Sequence, residues 1–261
     1  MSADAPTERF SNRVADYVRY RPGYPAQLLP WLYATQGMKA GDVVADIGAG
    51  TGISSQLFLQ AGHPVVAVEP NAAMRAAAVE ALAGHPGFSA VDGSAEATTL
   101  ADASVDVVSA AQAFHWFDKA AVKREWQRIL KPDGLMVVFW NSRPVTGSAF
   151  LEGYEALLRD YGSDYASVAE RYPDDVSMCE WLGDGLRGMA SFDNHQLLDF
   201  DGLRGRLLSS SYAPPPARPP APRRHACRPA RVIRADRRRW PGRPEIRHPH
   251  LCRNPRLTCI R

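Results

Sequence analysis

The sequence predicts an α/β sandwich, a mostly parallel sheet with helices on both faces, and three observations predict it. Short apolar runs recur at 43–45, 65–68, 105–108 and 135–140, nearly continuous in the way of strands covered on both faces. Stretches with helical apolar spacing separate them. A chain of 261 residues with 45% hydrophobic and 23% charged side chains has the material for one sizeable core.

The elements follow in order. Val43, Val44 and Ala45 form the first strand; behind it Ile53, Leu57, Phe58 and Ala61 recur at helical spacing, and Gly62 is placed to end that helix. After the second strand at 65–68, Asn71 is an N-cap for a helix running through Met74 to about Leu82. A third helix opens at Asp118 and sets Val122, Trp126, Ile129 and Leu130 on one face, before a turn at Pro132, Asp133 and Gly134. The pattern is βαβαβ with right-handed crossovers, and one more strand is expected near Gln196 to Phe200.

Composition excludes several classes. No run approaches the roughly 18 apolar residues of a membrane span. The acidic start MSADAPTERF lacks the apolar core of an export signal, so a cytoplasmic protein with no membrane partner is expected. Four cysteines without a C-x-x-C pair exclude a zinc ribbon and a disulfide scaffold, and no metal is expected. The averages also hide a division. Residues 213–261 hold 14 arginines, no lysine, 11 prolines and two acids, a formal +12, which leaves −9 for residues 1–212 of a chain whose net charge is +3. The tail shows no useful apolar periodicity and is expected to be disordered.

The chemistry concentrates in the turn after the first strand, at Asp46, Gly48, Ala49, Gly50, Thr51 and Gly52. Glycines there let the backbone approach a ligand, and the helix N-terminus behind them favours negative charge. A ligand-free tight turn would explain two scattered glycines; three at alternate positions behind an aspartate point to a nucleotide-type site. Ile53 stands where the dinucleotide fingerprint needs its third glycine, so a nicotinamide-dependent oxidoreductase is the weaker reading. Glu69, at the end of the second strand, is placed to accept both hydroxyls of a ribose.

Four runs together, V-V-A-D-I-G-A-G-T-G (43–52), V-E-P-N (68–71), D-G-S-A-E (92–96) and A-Q-A-F-H-W-F-D (111–118), resemble a class I S-adenosylmethionine-dependent methyltransferase. With R-F-S-N-R-V-A-D-Y-V-R-Y-R-P-G-Y-P (9–25), the resemblance is to the bacterial methyltransferase type 11 group that includes trans-aconitate methyltransferase-like proteins. It covers residues 9–212 and implies a Rossmann-like fold, S-adenosylmethionine as cofactor, and a small-molecule acceptor rather than nucleic acid. By resemblance, Asp46, Gly48 and Gly50, with Ala49 and Gly52, surround the methionine half, and Glu69 holds the ribose. Asn71 and Met74 flank the adenine, with Ser94, Ala95 and Glu96 along its edge. Ala111 and Gln112 line the path beside the sulfonium, and Tyr20 and Arg21 belong to a lid, Arg21 as a carboxylate partner.

His115 is either a base for the acceptor or a structural histidine beside Trp116. Trp116, Phe117, Trp140 and Asn141 would shape the acceptor pocket, while Tyr154, Tyr161, Tyr165 and Trp181 lie in a helical insertion after the fifth strand. Relatives would continue past residue 212 with a helix and a last antiparallel strand, so the C-terminal part of the sheet is expected to be incomplete and the product marginally stable. One reading of the tail is a single-nucleotide shift in a GC-rich gene: one base later, 225–235 permits a helix-like peptide and 243–258 a strand followed by a stop. The rival is a basic arm for nucleic acid or acidic lipid, which lacks lysine and has Trp240 as its lone aromatic. A relative impaired by its aberrant C-terminus is thus the second function class. The acidic body argues against an RNA substrate.

Overall fold

The computed structural model describes residues 14–213 and the backbone of a strand at 253–260. The chain begins with α1 (Val14–Tyr20) and α2 (Leu28–Trp31), then β1 (Val44–Ile47), α3 (Ile53–Gln60), β2 (Val65–Val68), α4 (Ala72–Leu82), β3 (Phe88–Val91) and β4 (Val105–Ala111). After α5 (Lys119–Ile129) and β5 (Leu130–Asn141) come α6 (Ala149–Tyr161), α7 (Tyr165–Glu170) and α8 (Asp175–Leu182). β6 (Leu186–Asp193), α9 (Phe200–Leu208) and β7 (Arg253–Ile260) complete it. The seven strands lie in the order β3-β2-β1-β4-β5-β7-β6, parallel from β3 to β5, with β7 antiparallel to both neighbours.

Alternation along each strand feeds two apolar layers. From β5, Met136, Val138 and Trp140 join Val122, Trp126 and Ile129 of α5 and Met178 and Leu182 of α8. Leu135, Val137 and Phe139 face the other way, onto Leu28, Leu29 and Phe58 of α2 and α3. A third cluster, built by Phe150, Leu151 and Leu158 of α6 with Leu203 of α9, forms a cover outside the sheet.

The caps stand where the sequence places them. Asn71 Oδ1 accepts the N–H groups of Ala73 and Met74 at 3.0 Å, and Asp118 Oδ1 those of Ala120 and Ala121 at 3.0 Å. Gly62 follows α3 at φ 87°, its N–H on the Leu59 carbonyl. The buried face of α3, however, is Ser54, Ser55, Phe58 and Leu59, because both serines turn onto the buried Asp46 carboxylate.

Three expectations are corrected. Pro132, Asp133 and Gly134 lie inside β5 as a register irregularity between the Val105 and Val107 pairings, Asp133 at φ 69°, rather than in a turn before it. The strand expected near Gln196 to Phe200 lies earlier, at Leu186–Asp193, since Asp199 caps α9 through the Gly202 N–H at 2.7 Å and Phe200 is already helical. The sheet is not left incomplete: β7 pairs Met136 to Asn141 of β5 on one edge and β6 on the other, satisfying backbone groups that would otherwise be orphaned. The irregularity between Ser191 and Asp193 coincides with Pro255, which has no N–H to offer β6. The predicted disorder of the tail falls, for residues 214–252, outside the described residues.

Candidate active site

The strand order reverses at β1, with β2 and β3 on one side and β4 and β5 on the other, so a crevice opens beyond the carboxyl ends of β1 and β4. The glycine turn and Gln112 stand at that crevice. Beneath the turn, Asp46 is fully buried, and its Oδ2 accepts the Ser54 and Ser55 hydroxyls at 2.6 and 2.7 Å. Burial pushes this carboxyl up to about 6 against those hydrogen bonds, and Oδ1 has no hydrogen-bond partner among the described residues. Asp46 ties the turn to α3 from below rather than standing in a cavity wall. Gly48 (φ 67°) has no room for a side chain, since a Cβ would lie 2.7 Å from that of Ala113. Gly52 likewise serves packing, against Leu82 of α4.

Glu69 is the anchor of the site. Its Oε2 accepts the Gly50 N–H and its Oε1 the Asn71 N–H, each at 2.8 Å, which fixes the carboxylate while leaving each oxygen a free lone pair. Burial raises this carboxyl, and the two N–H bonds and Arg75 oppose the rise. Beside it opens a cavity of about 290 Å³. Gly50, Glu69, Asn71 and Met74 form one wall, Ser94, Ala95 and Glu96 a second, and Ala111, Gln112, Trp116 and Phe117 a third. The sequence reading missed what holds the second wall. Glu125 Oε1 accepts the Thr98 N–H at 2.8 Å and its hydroxyl at 2.5 Å, and Arg128 clamps the same carboxylate at 2.9 and 2.7 Å. The Arg128 guanidinium draws Glu125 down to about 2. The one sequence signal is an acid three positions before an arginine on one helix face.

Two further cavities adjoin. A narrow one of about 30 Å³ is walled by Gly48, Ala49, Ser54, Arg21 and Arg206. The other, of about 250 Å³, lies under the cover and has His115, Trp116, Trp140, Asn141, Tyr154 and Tyr165 in its walls. Gln112 and Tyr17 line all three. Gln112 adopts φ 57°, an unusual value for a residue with a side chain, where its amide bonds the Asn141 carbonyl and the Tyr172 hydroxyl, each at 3.1 Å.

The lid residues divide. Tyr17 and Arg21, four apart, share a face, with the Arg21 guanidinium 4.7 Å from the Tyr17 ring centre. Tyr20 stands in none of the three cavity walls and packs instead against Gly205 of α9. Tyr17, which sequence reasoning passed over, therefore occupies the place expected of Tyr20. His115 stacks on Tyr172 at 4.1 Å, and burial, then Arg171 and Lys119, lowers it to about 3, so its imidazole is neutral at pH 7. Trp181 belongs to the core, 4.7 Å from Phe114, and Tyr161 to the cluster of the cover.

A family model described as a methyltransferase domain matches residues 45–138, which span the glycine turn, Glu69 and Gln112. An uncharacterized methyltransferase of Mycobacterium tuberculosis is 39% identical over 134 residues, covering 51% of this chain and 52% of that protein. An uncharacterized methyltransferase-like protein of Schizosaccharomyces pombe is 33% identical over 183 residues, 66% of this chain and 68% of that protein. The chain belongs to the methyltransferase domain family. It spans about half the length of the mycobacterial relative. The fold is shared with a protein assigned as a type II methyltransferase from Anaeromyxobacter dehalogenans, at TM-score 0.58 and 22% identity over 92% of this chain and 96% of that one. It is also shared with a Haemonchus contortus phosphoethanolamine N-methyltransferase solved with S-adenosylhomocysteine, at TM-score 0.57 and 14% identity over all of this chain and 60% of that one. Among the described residues no helix is long and apolar enough to cross a membrane.

Proposed function

We propose that this methyltransferase-family chain carries a methyl group from S-adenosylmethionine to a small-molecule acceptor. The observation that carries the reading is the Glu69 carboxylate, fixed by the Gly50 and Asn71 N–H groups in the wall of a cavity that meets a second cavity at Gln112 and Trp116. The residues fit the cofactor. A prealigned carboxylate suits two vicinal hydroxyls, the Met74 and Ala95 slot suits a flat base, and the glycine turn leaves no side chain in the way.

When bound, the cofactor supplies an activated methyl group on a sulfonium, so the protein's part is alignment and exclusion of water. Glu69, Asn71 and Met74 would orient the nucleoside end; Gly48, Ala49 and Ser54 would receive the amino-acid end, with Arg21 on its carboxylate. Trp116 and Gln112 stand between the two cavities and would hold the acceptor against the donor. His115, neutral at pH 7, offers a hydrogen bond to the acceptor in preference to taking its proton. The −9 charge of residues 1–212 favours a small molecule over a nucleic acid.

Calorimetric titration with S-adenosylmethionine and S-adenosylhomocysteine, with NAD as control, tests the cofactor. Saturable binding of the first two is expected, and Glu69→Ala should weaken it by about a hundredfold or more, since two ribose hydroxyls lose a charged acceptor, at roughly 1.5–3 kcal/mol each. Binding of NAD alone, or binding unchanged in the variant, overturns the assignment.

A further inference from the structure

The cavity under the cover carries an unbalanced charge. Arg21, Arg143 and Arg206 stand in its wall, and among the described residues no aspartate or glutamate does. Arg143 is neutralised from behind, where Glu155 Oε2 accepts its Nη2 at 2.5 Å and the Tyr165 hydroxyl at 2.7 Å. Arg21 has no acidic partner among the described residues: its Nη2 donates to the Ser209 carbonyl at 2.9 Å, and its Nε is buried without a hydrogen bond. Arg206, half-buried on α9, has neither a hydrogen bond nor an ion pair from its side chain among the described residues. Its charge acts on Arg21, adding to burial in lowering that guanidinium. Two cations turned into one cleft repel each other, and with no acid among the described residues of that wall the repulsion is relieved by anions that a ligand brings.

The same two arginines line the narrow cavity beside Gly48 and Ala49, so the carboxylate of the cofactor's amino-acid end would answer one of them. The second is left for the acceptor. We infer that the acceptor is a small oxyacid, a carboxylate or a phosphate ester, and that Arg206 determines this specificity by holding its anionic group. The inference rests on the methyltransferase reading above. A guanidinium fork matches either oxyanion through paired N–H bonds. The cavity's 250 Å³ lies just below the range of about 300–1,000 Å³ for drug-sized ligands, and Trp116, Trp140 and Tyr154 give it flat apolar walls.

The test uses the full chain saturated with S-adenosylhomocysteine and three probes of one shape: benzoate, phenyl phosphate and neutral benzamide, followed by ligand-observed NMR. At least one anion should bind in preference to benzamide, and whichever of the two binds more tightly names the oxyanion. Arg206→Gln should weaken that anion by at least about tenfold and erase the preference over benzamide, while Arg206→Lys, which keeps the charge, should restore part of it. Thermal midpoints of both variants establish that they fold, and the anion-to-amide ratio is a readout that a merely structural role would not move. Equal binding of benzamide and the anions overturns the inference, as does a wild-type ratio in Arg206→Gln. Anions that bind only without S-adenosylhomocysteine and compete with it also overturn it, because both arginines then serve the cofactor. A folded chain that binds no S-adenosylhomocysteine breaks the methyltransferase reading instead, and Arg206-dependent anion binding by that chain still sustains the oxyacid site.

Discussion

The proposed cofactor side of the crevice and the cover over its proposed acceptor side are built by different means. On the cofactor side, the contacts that shape the site join residues close in sequence: Asn71 to Glu69 across two positions, Ser54 to Asp46 across eight, Gly50 to Glu69 across 19. The cover is tied down by contacts between distant parts of the chain. Asn194 donates to the Gly23 carbonyl across 171 positions, Gln196 to that of Tyr20 across 176, and Arg21 to that of Ser209 across 188. A turn beside its strand forms wherever the local sequence allows it, whereas the cover needs the whole chain in place. The cofactor half is therefore the more autonomous of the two.

Removing β7 is the strongest way to break that comparison. A chain ended after Cys252 loses the strand between β5 and β6, leaving backbone groups of Met136 to Phe139 without partners in the sheet. The expected loss is roughly 1–3 kcal/mol for each group that stays buried and unpaired. Hydrogen exchange should show β6 amides losing protection while those of β1 and β2, which touch β7 nowhere, keep theirs. Equal loss across all strands would mean that the two halves fold as one unit.

A milder intervention separates lid from core. A Cβ on Gly205 would clash with the edge of the Tyr20 ring, so Gly205→Ala forces α1 away from α9 at a cost of about 1–3 kcal/mol. Because Tyr17 and Arg21 ride on the same segment, S-adenosylhomocysteine should dissociate faster from the variant, with the Glu69 anchor untouched. An unchanged off-rate in a destabilised variant would show that α1 covers the cavity without gating it.

The same division explains what the sequence made legible. Asn71, Asp118 and Glu69 were readable because each acts within a few residues of the motif that announces it. The parallel half of the sheet was readable because strands buried on both faces write themselves as apolar runs. Tyr17 in place of Tyr20 was not, since the choice depends on α9, nearly 190 residues away, presenting a glycine to Tyr20. β7 was hidden by arginine and proline; Leu257, Thr258, Cys259 and Ile260 are a run too short to outweigh that composition, and the partners that stabilise it lie on β5 and β6. Arg206 carries no local signal at all.

Glu125 gives the finest test, because it supports the cofactor side from a helix rather than from a motif. Its carboxyl sits at about 2 against an ordinary value of 4.5, so the folded state holds its proton more weakly than the unfolded chain does. The stability this provides is complete above about 4.5 and is lost as pH falls through about 2. Arg128 is 36% exposed, and solvent screening keeps the pair's contribution small. Glu125→Gln should therefore flatten the acid limb of the stability curve slightly while retaining an acceptor for the Thr98 N–H. Because Thr98 closes the loop that carries Ser94, Ala95 and Glu96, the variant should also bind S-adenosylhomocysteine a fewfold more weakly at neutral pH. A fewfold loss with an unaltered acid limb would assign Glu125 to positioning that loop alone, and a flattened limb with full affinity would assign it to stability alone.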